Sequence, residues 1–275
     1  MNYKMIVLDL DDTLLRDDRT ISPRTKQALM DAQEAGVKVV LASGRPTFAM
    51  RHIAQELELE KYGSFILSFN GASIINCATN EQLFSSTLSP ATVHELYNMS
   101  KKEQVWIHTY VGDDIVTPAN NKYTDIEADI TGMPIIETDQ FIEAIQEPVV
   151  KVLMVEAPEK LVLLEQKLQQ QLQGKLNVMR SKPYFLEFTE VGVDKGTSLH
   201  HLSQQLGIEQ HEVIAIGDSY NDLAMIEFAG LGVAMGNAPD DIKQIANYVT
   251  DSNMEDGVAK VVEEFILREQ VLPRS

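Results

Sequence analysis

The sequence predicts an α/β protein: a Rossmann-like core domain with a parallel sheet, interrupted by an inserted α+β domain. Three observations carry this. Short, almost wholly apolar runs such as Met5-Ile6-Val7-Leu8 and Val37 to Ala42 alternate with helical patterns, as buried parallel strands and their crossovers do. A middle block, residues 85–189, changes to strands of mixed polarity. The first pattern then resumes, so the core is assembled from residues 1–84 and 190–275.

The first strand, Lys4 to Leu10, runs into the acidic turn Asp11-Asp12-Thr13. Ligands of open α/β sheets sit at such strand ends. Side chains two apart in an extended segment share a direction, so Asp9 and Asp11 can face one pocket, one attacking while the other moves protons. An acidic surface loop is the competing reading. Ser22 and Pro23 then open a helix that Gly36 closes. Val37 to Ala42 completes a βαβ unit, which places Ser43 at the same sheet edge as Asp9. A hydroxyl and free N–H groups there suit a phosphate, although Ser-Gly is also ordinary turn chemistry. After a helix through Leu57, Phe65 to Phe69 reads as a third strand ending at Asn70-Gly71, a turn signal first and a site only weakly.

In the inserted block, a helix from Ala91 to Glu103 precedes strands at Val105 to Tyr110, Ile115 to Pro118 and Val149 to Val155. An amphipathic helix from Pro158 to Gln173 leads to a hairpin, Leu176 to Ser181 with Tyr184 to Thr189, across Lys182-Pro183. The α/β pattern returns with Asp194-Lys195-Gly196-Thr197 and a helix through Leu206. Val213 to Ile216 follows, ending in Gly217-Asp218-Ser219-Tyr220-Asn221-Asp222. Asp222, four residues after Asp218, falls on the same face, so both carboxylates can be offered to one cation. Helix capping and dipole compensation explain such a pair equally well. Leu231 to Met235 is a last strand, and a helix from about Glu255 closes the chain.

Composition narrows the function. With 275 residues and 44% hydrophobic content the chain can bury a core for two domains. No apolar stretch approaches the roughly 20 residues that span a bilayer, and the start lacks the pattern of a secretory leader, so a cytoplasmic protein is expected. The formal charge of −18 argues against nucleic-acid and anionic-membrane partners, which demand clustered Lys and Arg. The single cysteine, Cys77, excludes an internal disulfide framework and a Cys-rich zinc site, and a half-buried thiol is expected there. Together, a carboxylate pair after strand one, a Ser after strand two, a Lys at a helix start and a later acidic cluster support phosphoryl transfer. Oxygen-only ligands favour Mg²⁺ over zinc.

The motifs Asp9-Leu10-Asp11-Asp12-Thr13, Ser43-Gly44-Arg45, Lys195-Gly196 and Gly217 to Asp222 occur in this order over essentially the whole chain. The sequence thereby resembles the haloacid dehalogenase superfamily, in its Cof-type sugar-phosphate phosphatase branch with a type II cap. The resemblance implies a Mg²⁺-dependent phosphatase of small phosphorylated metabolites. It implies that Asp9 is the nucleophile that becomes an aspartyl phosphate and Asp11 the general acid and then base. It further implies that Mg²⁺ is held by Asp9, the backbone carbonyl of Asp11 and Asp218, with Asp222 in support. Phosphate would be held by Ser43, Lys195, Asn221 and the N–H groups of Leu10 and Gly44, with Thr13 bracing the acidic turn. Many members of the branch carry Gly where this chain has Asp12, which bears on local turn geometry alone. The inserted block becomes the cap, with Lys182, Tyr184 and Glu187 as residues that reach the substrate and Arg45 as a further candidate; an ordinary surface hairpin is the competing reading. Two rivals remain at this stage: a phosphotransferase or mutase using the same aspartyl phosphate, and a non-enzymatic phospho-accepting module, which needs only about half this length.

Overall fold

The structure, a computed structural model, describes residues 3–268. In chain order the elements are β1 (Met5–Leu8), α1 (Pro23–Glu34), β2 (Lys38–Ala42), α2 (Thr47–Glu56), α3 (Leu59–Tyr62), β3 (Phe65–Ser68), β4 (Ser73–Asn76) and β5 (Gln82–Ser85). There follow α4 (Pro90–Glu103), β6 (Trp106–Val111), β7 (Asp114–Thr117), α5 (Lys122–Thr131), β8 (Ile135–Glu137) and α6 (Phe141–Ala144). Next come β9 (Val152–Val155), α7 (Pro158–Gln171), β10 (Asn177–Lys182) and β11 (Phe185–Thr189). The last set is α8 (Lys195–Leu206), β12 (Val213–Gly217), α9 (Leu223–Phe228), β13 (Leu231–Ala234), α10 (Asp240–Ile245), β14 (Tyr248–Val249) and α11 (Gly257–Val262). Any part of the expected terminal helix beyond Arg268 lies outside the described residues.

The chain forms two compact units, one from the chain up to Phe84 and from Asp194 onward, the other Ser85–Val193. The second junction falls at Val193 rather than at residue 189, because the short turn after β11 stays with the inserted unit.

The core unit holds an eight-stranded sheet in the order β14-β13-β12-β1-β2-β3-β4-β5. The strands from β14 to β3 pair in parallel, and β4 runs antiparallel to β3. Why the strands read as unbroken apolar runs is visible in their packing. Ile6, Leu8, Val39, Leu41, Ile214 and Ile216 enter one buried cluster with residues of α1, α2 and α11. Met5, Val7, Val40, Val213 and Ala215 enter another with Leu199 and Leu202 of α8. The expected helix start at Ser22 is present: its side chain accepts from the N–H of Thr25 at 3.1 Å. Strands β4 and β5 were not expected: Asn70-Gly71 reads as a turn, and such a pair also suits the return into an antiparallel strand that follows it.

The inserted unit is α+β. Its six-stranded sheet runs β10-β11-β9-β6-β7-β8, antiparallel except for the β7–β8 pair. Ile107, Val152, Met154, Leu186 and Phe188 face one way and pack with Val93 and Leu96 of α4 and Leu161, Leu164 and Leu168 of α7. The opposite face carries buried polar groups, His108, Tyr110, Lys151 and Glu187. No helix among the described residues is long and apolar enough to cross a membrane.

Candidate active site

Parallel pairing brings the ends of four strands to one edge of the core sheet. Leu8 is in register with Leu41 and with Ile216, so Asp9, Ser43 and Asp218 leave adjacent strands at the same level, with the turn after β3 beside them. Asp9 is buried and accepts a hydrogen bond from Lys195 Nζ at 2.5 Å. The fully buried Lys195 also donates to Asp222 Oδ1 at 2.6 Å. One ammonium therefore ties the end of β1 to the loop after β12, although 186 residues separate Asp9 from Lys195.

Asp222 is held from both sides, since its Oδ2 accepts the backbone N–H groups of Asp218 and Ser219, each at 3.0 Å. This closeness depends on Gly217, where an added Cβ would lie 2.5 Å from the Cβ of Asp222. Thr13 is buried and donates to Asp218 Oδ1 at 2.9 Å, joining the acidic turn to the later cluster.

Carboxylate oxygens of Asp9, Asp218 and Asp222 lie within 4.8 Å of one another. Burial pushes Asp9 well above the usual carboxylate range, Lys195 offsets part of that, and the charges of Asp222 and Asp218 add to it. Burial pulls Lys195 down, and Asp9 and Asp222 more than offset this, so it is held above the ordinary lysine range. Asp218 is pushed up to about 6 by burial, against the hydrogen bond from Thr13. Three carboxylates face one ammonium, and the surplus of negative charge in a site of oxygen donors fits a hard divalent cation.

The other expected residues fall as follows. Asp11 is outside the carboxylate cluster; its side chain turns to Arg45, whose Nε and Nη2 donate to its two oxygens at 2.9 and 2.5 Å. The simple alternation that would aim Asp9 and Asp11 alike fails because the strand ends at Leu8 and the chain enters a helical turn, Leu10–Leu14, between the two carboxylates. Ser43 is buried and its Oγ accepts from the N–H of Arg45 at 3.2 Å. Gly44 packs against Asn70, and Asn221 donates to Asn70 Oδ1 at 3.1 Å. Leu10 is wholly buried, so what it offers the edge is backbone.

In the inserted unit, Glu187 is committed internally: Lys151 Nζ and Ser181 Oγ donate to its Oε1 at 2.9 and 2.6 Å. Tyr184 stacks on Tyr123 with ring centroids 5.9 Å apart, and Lys182 is exposed. Sequence reasoning undervalued Asn70 and missed Asn237, whose Nδ2 donates to the carbonyl of Asp12 at 2.8 Å. An Asn-Gly pair and an Asn in the loop after β13 look like turn residues until the strand order brings them to this edge. A cavity of about 670 Å³ is lined by Thr47, Arg51, Ile66 and Cys77 among others, and by none of Asp9, Asp11, Asp218 and Asp222. Cys77 is half-buried, and burial pushes its thiol up to about 12.

The family of haloacid dehalogenase-like hydrolases matches residues 6–262. The chain belongs to that family. Among solved structures, a haloacid dehalogenase-like hydrolase from Bacteroides thetaiotaomicron is 46% identical with a TM-score of 0.92, over 96% of this chain and all of that one. The haloacid dehalogenase subclass IIB sugar phosphatase BT4131 is 25% identical with a TM-score of 0.77, over 95% of this chain and 98% of that one. The 5-amino-6-(5-phospho-D-ribitylamino)uracil phosphatase YcsE of Bacillus subtilis strain 168 is 33% identical over 97% of each chain. This haloacid dehalogenase-like hydrolase is thus an enzyme of the phosphatase class, with the parallel-sheet core and inserted domain of its relatives.

Proposed function

We propose that this phosphatase hydrolyses small phosphorylated metabolites, sugar phosphates foremost, with Mg²⁺ and through an aspartyl phosphate on Asp9. The observation that carries the reading is the Lys195 ammonium bonded to both Asp9 and Asp222, with Asp218 in the same cluster. Contact with Lys195 at Oδ1 orients the Asp9 carboxylate. Asp9 attacks phosphorus in line, the bond from phosphorus to the leaving oxygen breaks, and Asp11 delivers a proton to that oxygen. Asp11 then takes a proton from water as the water attacks phosphorus, the bond to Asp9 breaks, and inorganic phosphate leaves. Arg45 holds Asp11 by both carboxylate oxygens, so one of those contacts opens and Asp11 takes up a proton from solvent before it delivers one to the leaving oxygen.

Ser43, Lys195, Asn221 and the N–H groups of Leu10 and Gly44 hold the phosphate. Asp9, Asp218 and the carbonyl of Asp11 would hold Mg²⁺, while Asp222 supports them through the N–H groups of Asp218 and Ser219. When bound, the cation supplies positive charge against the phosphoryl oxygens. The names of YcsE and BT4131 point to a phosphorylated ribityl chain and to sugar phosphates, which supports a phosphorylated polyol or sugar as substrate. Lys182 and Tyr184 of the inserted unit, with Arg45 of the core, are the specificity candidates. Glu187 acts through the inserted unit's own packing, because its carboxylate is already bonded to Lys151 and Ser181.

Asp9→Asn tests the reading. An amide cannot carry the phosphoryl group, so phosphate release from a panel of phosphorylated sugars is expected to fall by several orders of magnitude. Retention of more than about a tenth of the wild-type rate would remove Asp9 from the nucleophile role. Release of phosphate in water without an acceptor sugar separates hydrolysis from transfer.

A further inference from the structure

The turn after β3 is unusual backbone. Phe69 and Asn70 stand at φ +53° and +54°, and Gly71 follows at +103°. L side chains avoid this region because Cβ crowds the carbonyl oxygen; Asn tolerates it and Phe does not do so readily. Such a turn persists only where its surroundings fix it.

Those surroundings are the phosphate-binding segments themselves. The N–H of Asn70 donates to the carbonyl of Ser43 at 2.9 Å, and the N–H of Phe69 donates to the carbonyl of Arg45 at 3.0 Å. Asn221 Nδ2 donates to Asn70 Oδ1 at 3.1 Å. A Cβ placed on Gly44 would lie 3.1 Å from Asn70 Nδ2, so the amide packs directly on the Gly44 backbone. Ser198 of α8, the helix that begins with Lys195, donates to the carbonyl of Gly71 at 2.7 Å. A Cβ on Gly71 would lie 2.5 Å from the carbonyl oxygen of Asp194, the residue that caps this helix. Three separate segments, carrying Ser43 and Gly44, Asn221, and Lys195, are therefore fastened to one three-residue turn.

A turn that only reversed the chain between β3 and β4 would be served better by Gly at position 70, which adopts φ +54° without crowding. What Asn adds is the side-chain amide, whose oxygen accepts from Asn221 and which packs against the Gly44 backbone. We infer that Asn70 is a positioning residue of the phosphate site: it holds Asn221 by its carbonyl and seats the Gly44 loop by its amide group. This rests on the assignment of Ser43, Gly44, Lys195 and Asn221 to phosphate made above.

Asn70→Gly separates the amide from the backbone, since glycine keeps the turn and the variant folds with a melting temperature at or above the wild type. Titration calorimetry with inorganic phosphate in the presence of Mg²⁺ is expected to show about tenfold weaker binding, the worth of one good hydrogen bond in a pre-set site. KM for every phosphomonoester is expected to rise by a similar factor, because all share the phosphate. Asn221→Ala removes the same contact from the other side, and the double variant is expected to lose less phosphate affinity than the product of the two single losses, because the Asn70–Asn221 contact is counted in both. Wild-type phosphate affinity in Asn70→Gly, or losses that multiply in the double variant, would overturn the inference. Ser43→Ala distinguishes the two levels. If it weakens phosphate binding and Asn70→Gly does not, only the role of Asn70 fails. If neither does, the phosphate site is elsewhere and the inference fails with it.

Discussion

At the scale of single residues, Asp12 shows how a side chain can be absent from the chemistry and still matter to it. Its φ of +60° turns the chain between Asp11 and Thr13, and Thr13 in turn holds Asp218. Glycine enters the left-handed region freely, and Asp is among the side chains that tolerate it. Relief of crowding and the extra entropy of an unfolded glycine nearly offset each other, so Asp12→Gly is expected to change stability by no more than about 0.5 kcal/mol and to keep turnover. Asp12→Val is expected to lose about 2 kcal/mol and most activity, because a β-branched residue at this φ forces the turn to shift. Guanidinium unfolding and phosphate release measure both; a Val variant as stable and as active as the wild type would show that the kink is dispensable. The motif residues were legible because type and order sufficed. The aim of Asp11 toward Arg45 was not, since it depends on the chain leaving the strand for a helical turn at Leu10.

At the scale of elements, the core strands were legible because burial on both faces leaves long apolar words in the sequence. The return strand β4 and the α5 helix were not: β4 follows a turn that serves several loops, and α5 packs a polar set against a polar sheet face. On that face the Nδ1 of His108 meets Thr124 Oγ1 at 3.1 Å, while Nε2 is buried without a partner among the described residues. Burial first and the charge of Lys151 second pull this imidazole down to about 3. In the unfolded chain it titrates near its ordinary value of about 6.5. The unfolded state therefore binds more protons between these values, and the stability His108 confers above about pH 6.5 is lost as pH falls toward 3. His108→Phe is expected to flatten the acid side of the stability curve by up to about 1.4 kcal/mol per pH unit. Urea midpoints of wild type and variant between about pH 6.5 and 4 read the difference directly; parallel curves would mean that the folded imidazole accepts a proton after all.

At the scale of the whole molecule, the site closes the core. Asp9 comes from the first strand, and Lys195, Asp218 and Asp222 come from the segment after the inserted unit, so the site forms only when both parts of the core have joined. A chain of formal charge −18 that gathers three carboxylates around one ammonium carries like-charge repulsion into its native state. A divalent cation that binds the folded cluster and not the unfolded chain offsets it, by about 2.7 kcal/mol at a hundredfold excess over its dissociation constant. Mg²⁺ is therefore expected to raise the melting temperature, and EDTA to lower it and silence phosphate release. The two later carboxylates should divide in their response. Asp218 has one oxygen braced by Thr13 and belongs to the cluster directly, whereas both oxygens of Asp222 are engaged by Lys195 and by the N–H groups of Asp218 and Ser219. Asp218→Ala is expected to abolish both the Mg²⁺-dependent rise in melting temperature and activity at every Mg²⁺ concentration. Asp222→Ala, which loosens the frame and leaves the ligand in place, is expected to keep a smaller rise and to regain part of its activity as Mg²⁺ increases. Melting curves and rates across one Mg²⁺ series decide the matter, because equal losses that no concentration of Mg²⁺ restores would make Asp222 a direct ligand, and an EDTA-insensitive enzyme would remove the cation from the site.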